Sequence, residues 1–510
     1  VIRFITDYVL EGLMKYILDA AQMKEVDNYS ISTVGIPSVV LMERAALSVT
    51  SYIAEEAHIS TDKMVLCVCG SGNNGADGLA VARQLYLKGY KVDVFLCEGK
   101  HSTEEYRIQL NIIKNLGIQY INDPDFSAYG VIVDALFGNG LSRNLEGKSV
   151  SVVEAVNNAH NNGAYVAAVD IPSGISATSG AVMGCAVMAD VTVTFGYIKT
   201  GQLLYPGAGY CGELRVSDIG FAVYDKMSQK RYIYEPEDIR AKLPHRRADS
   251  NKGSSGKAIV IAGSKKYGGA AVLSSRAAYR TGAGLVKLIT HIDNRNVVLS
   301  SNMETLLSTY GDEDTDVSVK ESLEWADAVC IGPGLSQDTL AESLVRQVAD
   351  DDTGKKKLFD ADALNIIAKC GITLNGGQIV VTPHVGEMSR LTGKSIADIK
   401  SNIISVAVDY AKEHKCICVL KDARTIVTDG DEVYINVSGN DGMATGGSGD
   451  VLSGIITSLM AQGMDCFDAA KLGVYIHGLA GDEAARAGTR YSMVAGDIIG
   501  NISNVLKEYD

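Results

Sequence analysis

Asn440-Asp-Gly-Met-Ala-Thr-Gly-Gly-Ser-Gly-Asp450, running straight into Val451-Leu-Ser-Gly-Ile-Ile-Thr-Ser-Leu-Met-Ala461, is the most informative segment of this 510-residue chain. Glycines ahead of a helical pattern over 449–461 let the N–H groups of Gly447, Ser448 and Gly449 turn toward one point. The helix dipole adds positive potential there. Such a turn is an anion hole for a phosphoryl group in transit, where losing one donor typically costs about 10²–10³ in rate. Asp450 then stands beside the transferred group, placed to take a proton from an attacking hydroxyl. On spacing alone the same residues also read as a glycine-rich turn with Asp450 capping the helix.

Outward from this segment the chain alternates strand-like and helix-like runs. Short apolar runs rich in Val, Ile and Cys lie at 64–69, 91–97, 130–137, 165–171 and 191–196, with helical spacing at 77–88 and 104–116. The pattern breaks over 223–247, which is charged and carries Pro236 and Pro244 around a short helix-like piece. A second series follows at 257–262, 285–290, 328–332, 379–382, 416–421 and 425–428, and long helical stretches at 449–461, 469–487 and 495–507 close the chain. Alternation of this kind predicts mostly parallel sheets covered on both faces. The expected architecture is α/β: a Rossmann-like three-layer domain over 1–224 and a second α/β domain over 225–510. No repeat or low-complexity tract argues for a solenoid.

The net charge is −14, with 46% hydrophobic and 21% charged residues. A surface this acidic repels phosphate backbones, so nucleic acid is not an expected partner. A nucleotide site then needs local positive potential from helix N-termini, a lysine or a metal. The ten cysteines are scattered, and Cys67/Cys69 and Cys416/Cys418 sit in apolar runs without zinc-knuckle or redox spacing. They read as small buried hydrophobes in a reducing cytoplasm. No apolar run reaches the roughly 18 residues of a membrane span. Residues 1–13 lack the form of a signal peptide, and Met14 is the expected natural start, with the preceding residues as extra sequence.

Further motifs surround the C-terminal segment: Lys252-Gly253, Gly256-Lys257, Ala262-Gly-Ser264, Tyr267-Gly-Gly-Ala-Ala271, Thr281-Gly-Ala-Gly-Leu285, Gly332-Pro-Gly-Leu335, Asp360-Ala-Asp-Ala-Leu-Asn365, Pro383-His-Val-Gly-Glu-Met388 and Leu420-Lys-Asp422. In order and content, from about 236 to 510, they resemble the ADP/ATP-dependent NAD(P)H-hydrate dehydratase family of the ribokinase-like superfamily. The resemblance implies phosphorylation of a ring hydroxyl followed by phosphate elimination, with Asp450 as base and substrate contact. It implies that Gly334 and His384 face the nicotinamide hydrate. Lys421, Asp422, Ala423, Arg424 and Thr425, with Asn440, Gly442, Met443, Ala444, Thr445, Gly446, Gly447, Ser448 and Gly449, would line ADP or ATP. Asp360 and Asp362 read either as magnesium holders through water or as helix caps, and Glu387 as a dipole partner or a neighbour of the metal. Asn251 and Asp422 stand where the family usually has His and Gly.

The first half carries Cys69-Gly-Ser-Gly-Asn-Asn-Gly-Ala-Asp-Gly78 after a strand, and strand-end acids in Val133-Asp-Ala-Leu-Phe-Gly138 and Val169-Asp-Ile-Pro-Ser-Gly174. Acids at strand ends converge on one edge of a parallel sheet, where ligands bind. Together, over about 14–219, these residues resemble the NAD(P)H-hydrate epimerase family. The resemblance implies substrate contacts from Asn73, Asn74, Gly75, Ala76, Asp77, Gly138, Asn139, Gly140, Leu141, Ser142, Arg143 and Asn144. It makes Asp170 a substrate ligand and the acid/base, and makes Asn74, Asp134 and Ser173 oxygen ligands of potassium. Ser71 replaces a usual Pro and Ala76 a usual Gly; Ala76 threatens the turn unless its φ is negative.

These readings lead to a two-activity cofactor-repair enzyme acting on NADH hydrate and NADPH hydrate with ADP or ATP and magnesium. A cytoplasmic homo-oligomer away from membranes is expected. A vitamin-precursor or small-alcohol kinase with a non-catalytic N-terminal binding domain is the alternative.

Overall fold

The computed structural model describes residues 2–5, 15–97, 102–224, 229–311, 319–374 and 378–509. Met14 and the start expected there lie outside these residues. The chain folds as two compact units, Val1–Ser228 and Gln229–Asp510.

The first unit is built on a parallel sheet in the order Ile2–Ile5, Glu213–Ser217, Val191–Phe195, Tyr165–Val169, Val131–Ala135, Met64–Cys69, Lys91–Leu96. Successive strand side chains point to opposite faces, and the sequence fills both. Val65, Cys67 and Cys69 pack with helices Ser38–Ser51 and Asn73–Leu87 on one face. Leu66 and Val68 pack with helix Lys148–Asn161 on the other. This is the three-layer arrangement that the apolar runs predict. The run expected at 130–137 stops pairing at Ala135, because the Leu136 N–H turns back onto the Asp134 carboxylate at 3.3 Å. The expectation of extra sequence at 1–13 did not foresee the parallel strand Ile2–Ile5, which pairs with Glu213–Ser217.

The second unit orders its strands Leu306–Tyr310, Leu285–His291, Lys257–Ile261, Ala328–Ile331, Lys356–Phe359, Ile379–Val381, Ile417–Leu420, Ile426–Thr428, Val433–Ile435, Arg231–Ile233. Pairing is parallel as far as Ile417–Leu420 and then antiparallel through Ile426–Thr428 and Val433–Ile435. Helix Ser448–Ala461 lies at the centre, with every residue from Val451 to Ala461 buried. A helix apolar all round must be enclosed on all sides. Gly454 permits that enclosure, since a Cβ there would stand 2.2 Å from the Ser274 carbonyl oxygen. All ten cysteines are free thiols, seven of them buried. Among the described residues no helix is long and apolar enough to cross a membrane.

Candidate active sites

In the second unit the helix begins at Ser448, with Gly447 as its cap residue in the left-handed region (φ 90°). A Cβ at Gly447 would lie 2.5 Å from a Leu273 methyl, so glycine serves both the conformation and the close approach. Asp450 is therefore the third residue inside the helix, and the reading of it as the N-cap is excluded by position. The N–H groups of the first turn have no intrahelical acceptor and point out of the helix end. Asn440 braces the preceding loop: its Oδ1 accepts the Gly442 N–H at 3.0 Å, and its Nδ2 donates to Asp482 Oδ1 at 2.8 Å. Asp482 also accepts the Gly439 N–H at 2.9 Å.

Burial pushes the Asp450 carboxyl up to about 7; the negative charge of Asp360 adds to the shift and Lys421 opposes it. Lys421 Nζ donates to Asp360 Oδ1 at 2.8 Å, and Ser453 Oγ donates to Asp360 Oδ2 at 2.7 Å. The same ammonium lies 3.4 Å from the position of a Cβ on Gly449, which joins the 421–425 segment to the helix start. Lys421 is thus turned inward onto an acid rather than into solvent. Asp422 and Ala423 are exposed, so the added acid points outward. Arg424 donates to the Val437 carbonyl at 3.1 Å, and the Thr425 carbonyl accepts the Asn436 N–H at 2.9 Å.

His384 is the N-cap of helix Val385–Thr392, its Nδ1 accepting the Gly386 N–H at 2.9 Å. Glu387 Oε2 answers by accepting the His384 N–H at 2.8 Å. The Lys421 N–H donates to the Pro383 carbonyl at 2.8 Å, bringing this helix start beside Lys421. Burial, with the charges of Lys421 and Arg390, lowers the His384 imidazole, while burial raises Glu387. Gly334, at φ 58°, packs against Tyr267 and Ala270. Asp362 opens helix Asp362–Cys370 and accepts the Ser336 N–H at 2.9 Å. Its carboxylate ties down the 332–337 loop and does not cap its own helix, which the cap reading had expected.

Two residues of the second unit were missed from sequence. His477 is buried, is pushed down to about 4 by burial, and meets Ser448 Oγ at 3.3 Å. Asp482 is the other. Both lie on helix Cys466–Ala487, where a polar residue inside an apolar pattern was the only signal.

In the first unit a cavity of about 730 Å³ is lined by Asn73, Asn74, Asp77, Gly138 to Arg143, Asp170 and Lys199, and by Asp27. Gly75 is required at its turn, because a Cβ would stand 1.8 Å from the Gly70 carbonyl oxygen. Ala76 is buried inside helix Asn73–Leu87 and is not among the residues of positive φ, so its methyl meets no backbone penalty. Asp170 adopts the left-handed region (φ 66°), a strain of about 1–3 kcal/mol that surrounding bonds must hold. Lys199 Nζ donates to its Oδ1 at 2.5 Å, as does Thr194 Oγ1 at 3.1 Å. Asn139 Nδ2 donates to Oδ2 at 2.6 Å, and Gln202 Nε2 donates to the Asp170 carbonyl at 2.6 Å. Lys199 is fully buried on the short strand Ile198–Lys199. It was not foreseen, though a lone lysine in the apolar run 191–204 was its visible trace.

Asp134 is 1% exposed. Its two oxygens accept the Ser173 hydroxyl at 2.6 Å and the Ser173 N–H at 2.8 Å. Burial raises this carboxyl to about 6, and among the described residues no cationic side chain pairs with it. Asn74 lies against Gly138 and leaves its Nδ2 buried without a partner. Ser142, Gly140, Leu141 and Arg143 line the cavity, whereas Asn144 does not.

Comparison with known proteins agrees with this division. Residues 258–504 match the family model described as NAD(P)H-hydrate dehydratase, and residues 38–201 match YjeF-related protein N-terminus. The bifunctional NAD(P)H-hydrate repair enzyme of Moorella thermoacetica is 37% identical over 523 residues, spanning 97% of each chain. That of Thermofilum pendens is 38% identical over 493 residues, 91% of each. A crystal structure of a ribokinase-like superfamily protein from Enterococcus faecalis superposes with a TM-score of 0.52 at 28% identity, covering 56% of this chain and 98% of that one. The chain belongs to the family of bifunctional NAD(P)H-hydrate repair enzymes.

Proposed function

We propose that the first unit interconverts R and S NAD(P)H hydrate. The second unit phosphorylates the ring hydroxyl of the S form with ADP or ATP, and phosphate then leaves to restore NAD(P)H. A hydroxyl leaves poorly and a phosphate leaves well, so a phosphoryl-transfer site suits a dehydration. The observation that carries the reading is Asp450: a carboxyl at about 7 beside the glycine-led start of a buried helix. A base of that pKa is half ionised near neutrality, where proton removal is most effective. The first-turn N–H groups receive the phosphoryl oxygens, and Lys421, held by Asp360, supplies the local positive charge that this acidic chain otherwise lacks.

Magnesium fits this site only as a companion of the nucleotide. Both oxygens of Asp360 are occupied by Lys421 and Ser453, and Asp362 accepts from Ser336. Among the described residues no group of three His, Cys, Asp or Glu is arranged for a metal. Phosphates and waters then make most of the coordination.

Potassium fits the first unit better. Asp134 is a buried carboxyl without a counter-ion among the described residues, and Asn74, packed against Gly138, carries an orphaned amide whose reversal presents oxygen instead. Asn74, Asp134 and Ser173 are the residues that would hold the ion, which supplies charge to a site otherwise costly to ionise. Asp170 then binds the hydrate at the cavity wall.

The test is regeneration of NADH from its hydrates by the full chain, with ADP or ATP and magnesium. Full conversion of an R/S mixture is expected. Conversion that halts when the S form is spent removes the epimerase, and absence of NADH with either nucleotide removes the dehydratase. A stable phosphorylated alcohol in place of NADH favours the kinase alternative.

A further inference from the structure

Two carboxyl groups in the cavity of the first unit have no hydrogen-bond or ion-pair partner among the described residues: Asp77, on helix Asn73–Leu87, and Asp27, on helix Ala20–Asn28. Both line the same space as Asp170, whose Oδ1 accepts from Lys199, Thr194 and the Phe195 N–H, while its Oδ2 accepts from Asn139 and keeps a lone pair for a further proton. One acid is thus held as an ion pair while two others are left bare. Lys24 from the Asp27 helix, Glu105 from helix Glu104–Asn115 and Arg143 from the 138–144 loop complete the charged lining.

Resting on the proposed epimerase activity, we infer that Asp77 is the proton donor to the departing ring hydroxyl. Asp170 accepts the proton of the returning water, and Asp27 is the positioning residue that keeps Asp77 protonated. The hydrate carries its hydroxyl on the carbon next to the ring nitrogen. The proton of Asp77 passes to that oxygen, the C–O bond breaks, and water departs. The nitrogen lone pair closes a C=N double bond, leaving a cationic ring. Water adds to the other face of that carbon, the C=N pair returns to nitrogen, and the released proton goes to Asp170. Each carboxyl ends in the other's starting state, and exchange with solvent water restores them. No oxidant or further reactant enters.

The electrostatics agree with the geometry. Burial, then the charges of Asp170, Asp27 and Glu105, push the Asp77 carboxyl well up. Burial, followed by the charge of Asp170, raises Asp27, with Lys199 opposing. Asp77, without a partner among the described residues, suits the part of donor, and Asp170, paired with Lys199, that of acceptor. Once Asp77 has given up its proton, its carboxylate also favours the cationic ring formed between the two steps.

The test follows the R and S forms of NADH hydrate chromatographically over a range of pH, with the uncatalysed rate subtracted. Thermal unfolding of the full chain, with both transitions kept, reports that each variant is folded. Wild-type epimerisation is expected to fall as pH rises, as the donor loses its proton. Asp77→Asn is expected to lower kcat by about 10²–10⁴ with little change in KM and to abolish that alkaline limb; Asp77→Glu retains it. Asp27→Asn is expected to keep the limb but move it to lower pH by roughly one unit, since a negative neighbour has gone. An Asp77→Asn variant that raises KM and keeps the wild-type limb overturns the donor assignment. An unmoved limb in Asp27→Asn overturns the role of Asp27. A wild-type chain that does not epimerise at all defeats the underlying reading instead.

Discussion

In the first unit the ionisable groups meet on the walls of a cavity of about 730 Å³, whereas in the second they meet at the glycine-led start of a buried helix. The cavity gathers its groups from helices, strand ends and a loop, and it holds Asp170 with a fully buried lysine. The helix start supplies positive potential from backbone N–H groups and needs one lysine, itself tied to Asp360. The epimerisation proposed above passes through a cationic ring and is helped by nearby carboxylates. Phosphoryl transfer calls for the reverse. One acidic chain accommodates both because each unit sets its local field with fixed neighbours rather than with net charge.

The largest expected effect that separates the sites is Asp450→Asn. Dehydration should fall by about 10²–10⁴ while epimerisation is untouched. The wild-type dehydration rate should rise with pH through about 7, because a base acts only when ionised, and the variant should lack that limb. Loss of both activities together would break the comparison.

A smaller effect concerns Asp134. Its carboxyl is raised from 3.8 to about 6, so the folded first unit holds this proton more tightly than the unfolded chain. The associated stability is complete below about 4 and is lost as pH rises through about 6. The loss is roughly 3 kcal/mol on the conversion of one pKa unit to about 1.4 kcal/mol. Potassium should recover part of it. Thermal unfolding above neutrality is expected to shift upward in potassium chloride relative to tetramethylammonium chloride, less so in acid, and not at all in Asp134→Asn. Melting that ignores the cation would remove potassium from the proposal.

The smallest effect is Ala76→Gly. The helical conformation at this residue gives its methyl a place, so restoring glycine should cost about 1 kcal/mol of stability and leave epimerisation unchanged. A marked gain in epimerisation on the same substitution would show that the methyl obstructs the site.

Much of both sites was legible because glycine motifs encode local backbone. The turn before Asp450, the Gly75 approach and the strand-end acids at Asp134 and Asp170 are each specified within about ten residues. The two-unit organisation also follows from periodicity, and the antiparallel end of the second sheet less so, since Val433–Ile435 is too short to stand out. His384 was expected to face the nicotinamide hydrate, and the fold adds that it caps helix Val385–Thr392 together with Glu387.

The α/β alternation, the glycine-led helix start at Asp450 and the acids at two strand ends are written locally in the chain, because hydrophobic period and glycine placement act within one element. It took the folded chain to pair Lys421 with Asp360 and Lys199 with Asp170, and to leave Asp27 and Asp77 in one cavity without a partner among the described residues. Those facts depend on burial and on charges brought together from distant segments, and a carboxyl's proton affinity is set by that surrounding and not by its neighbours in the chain.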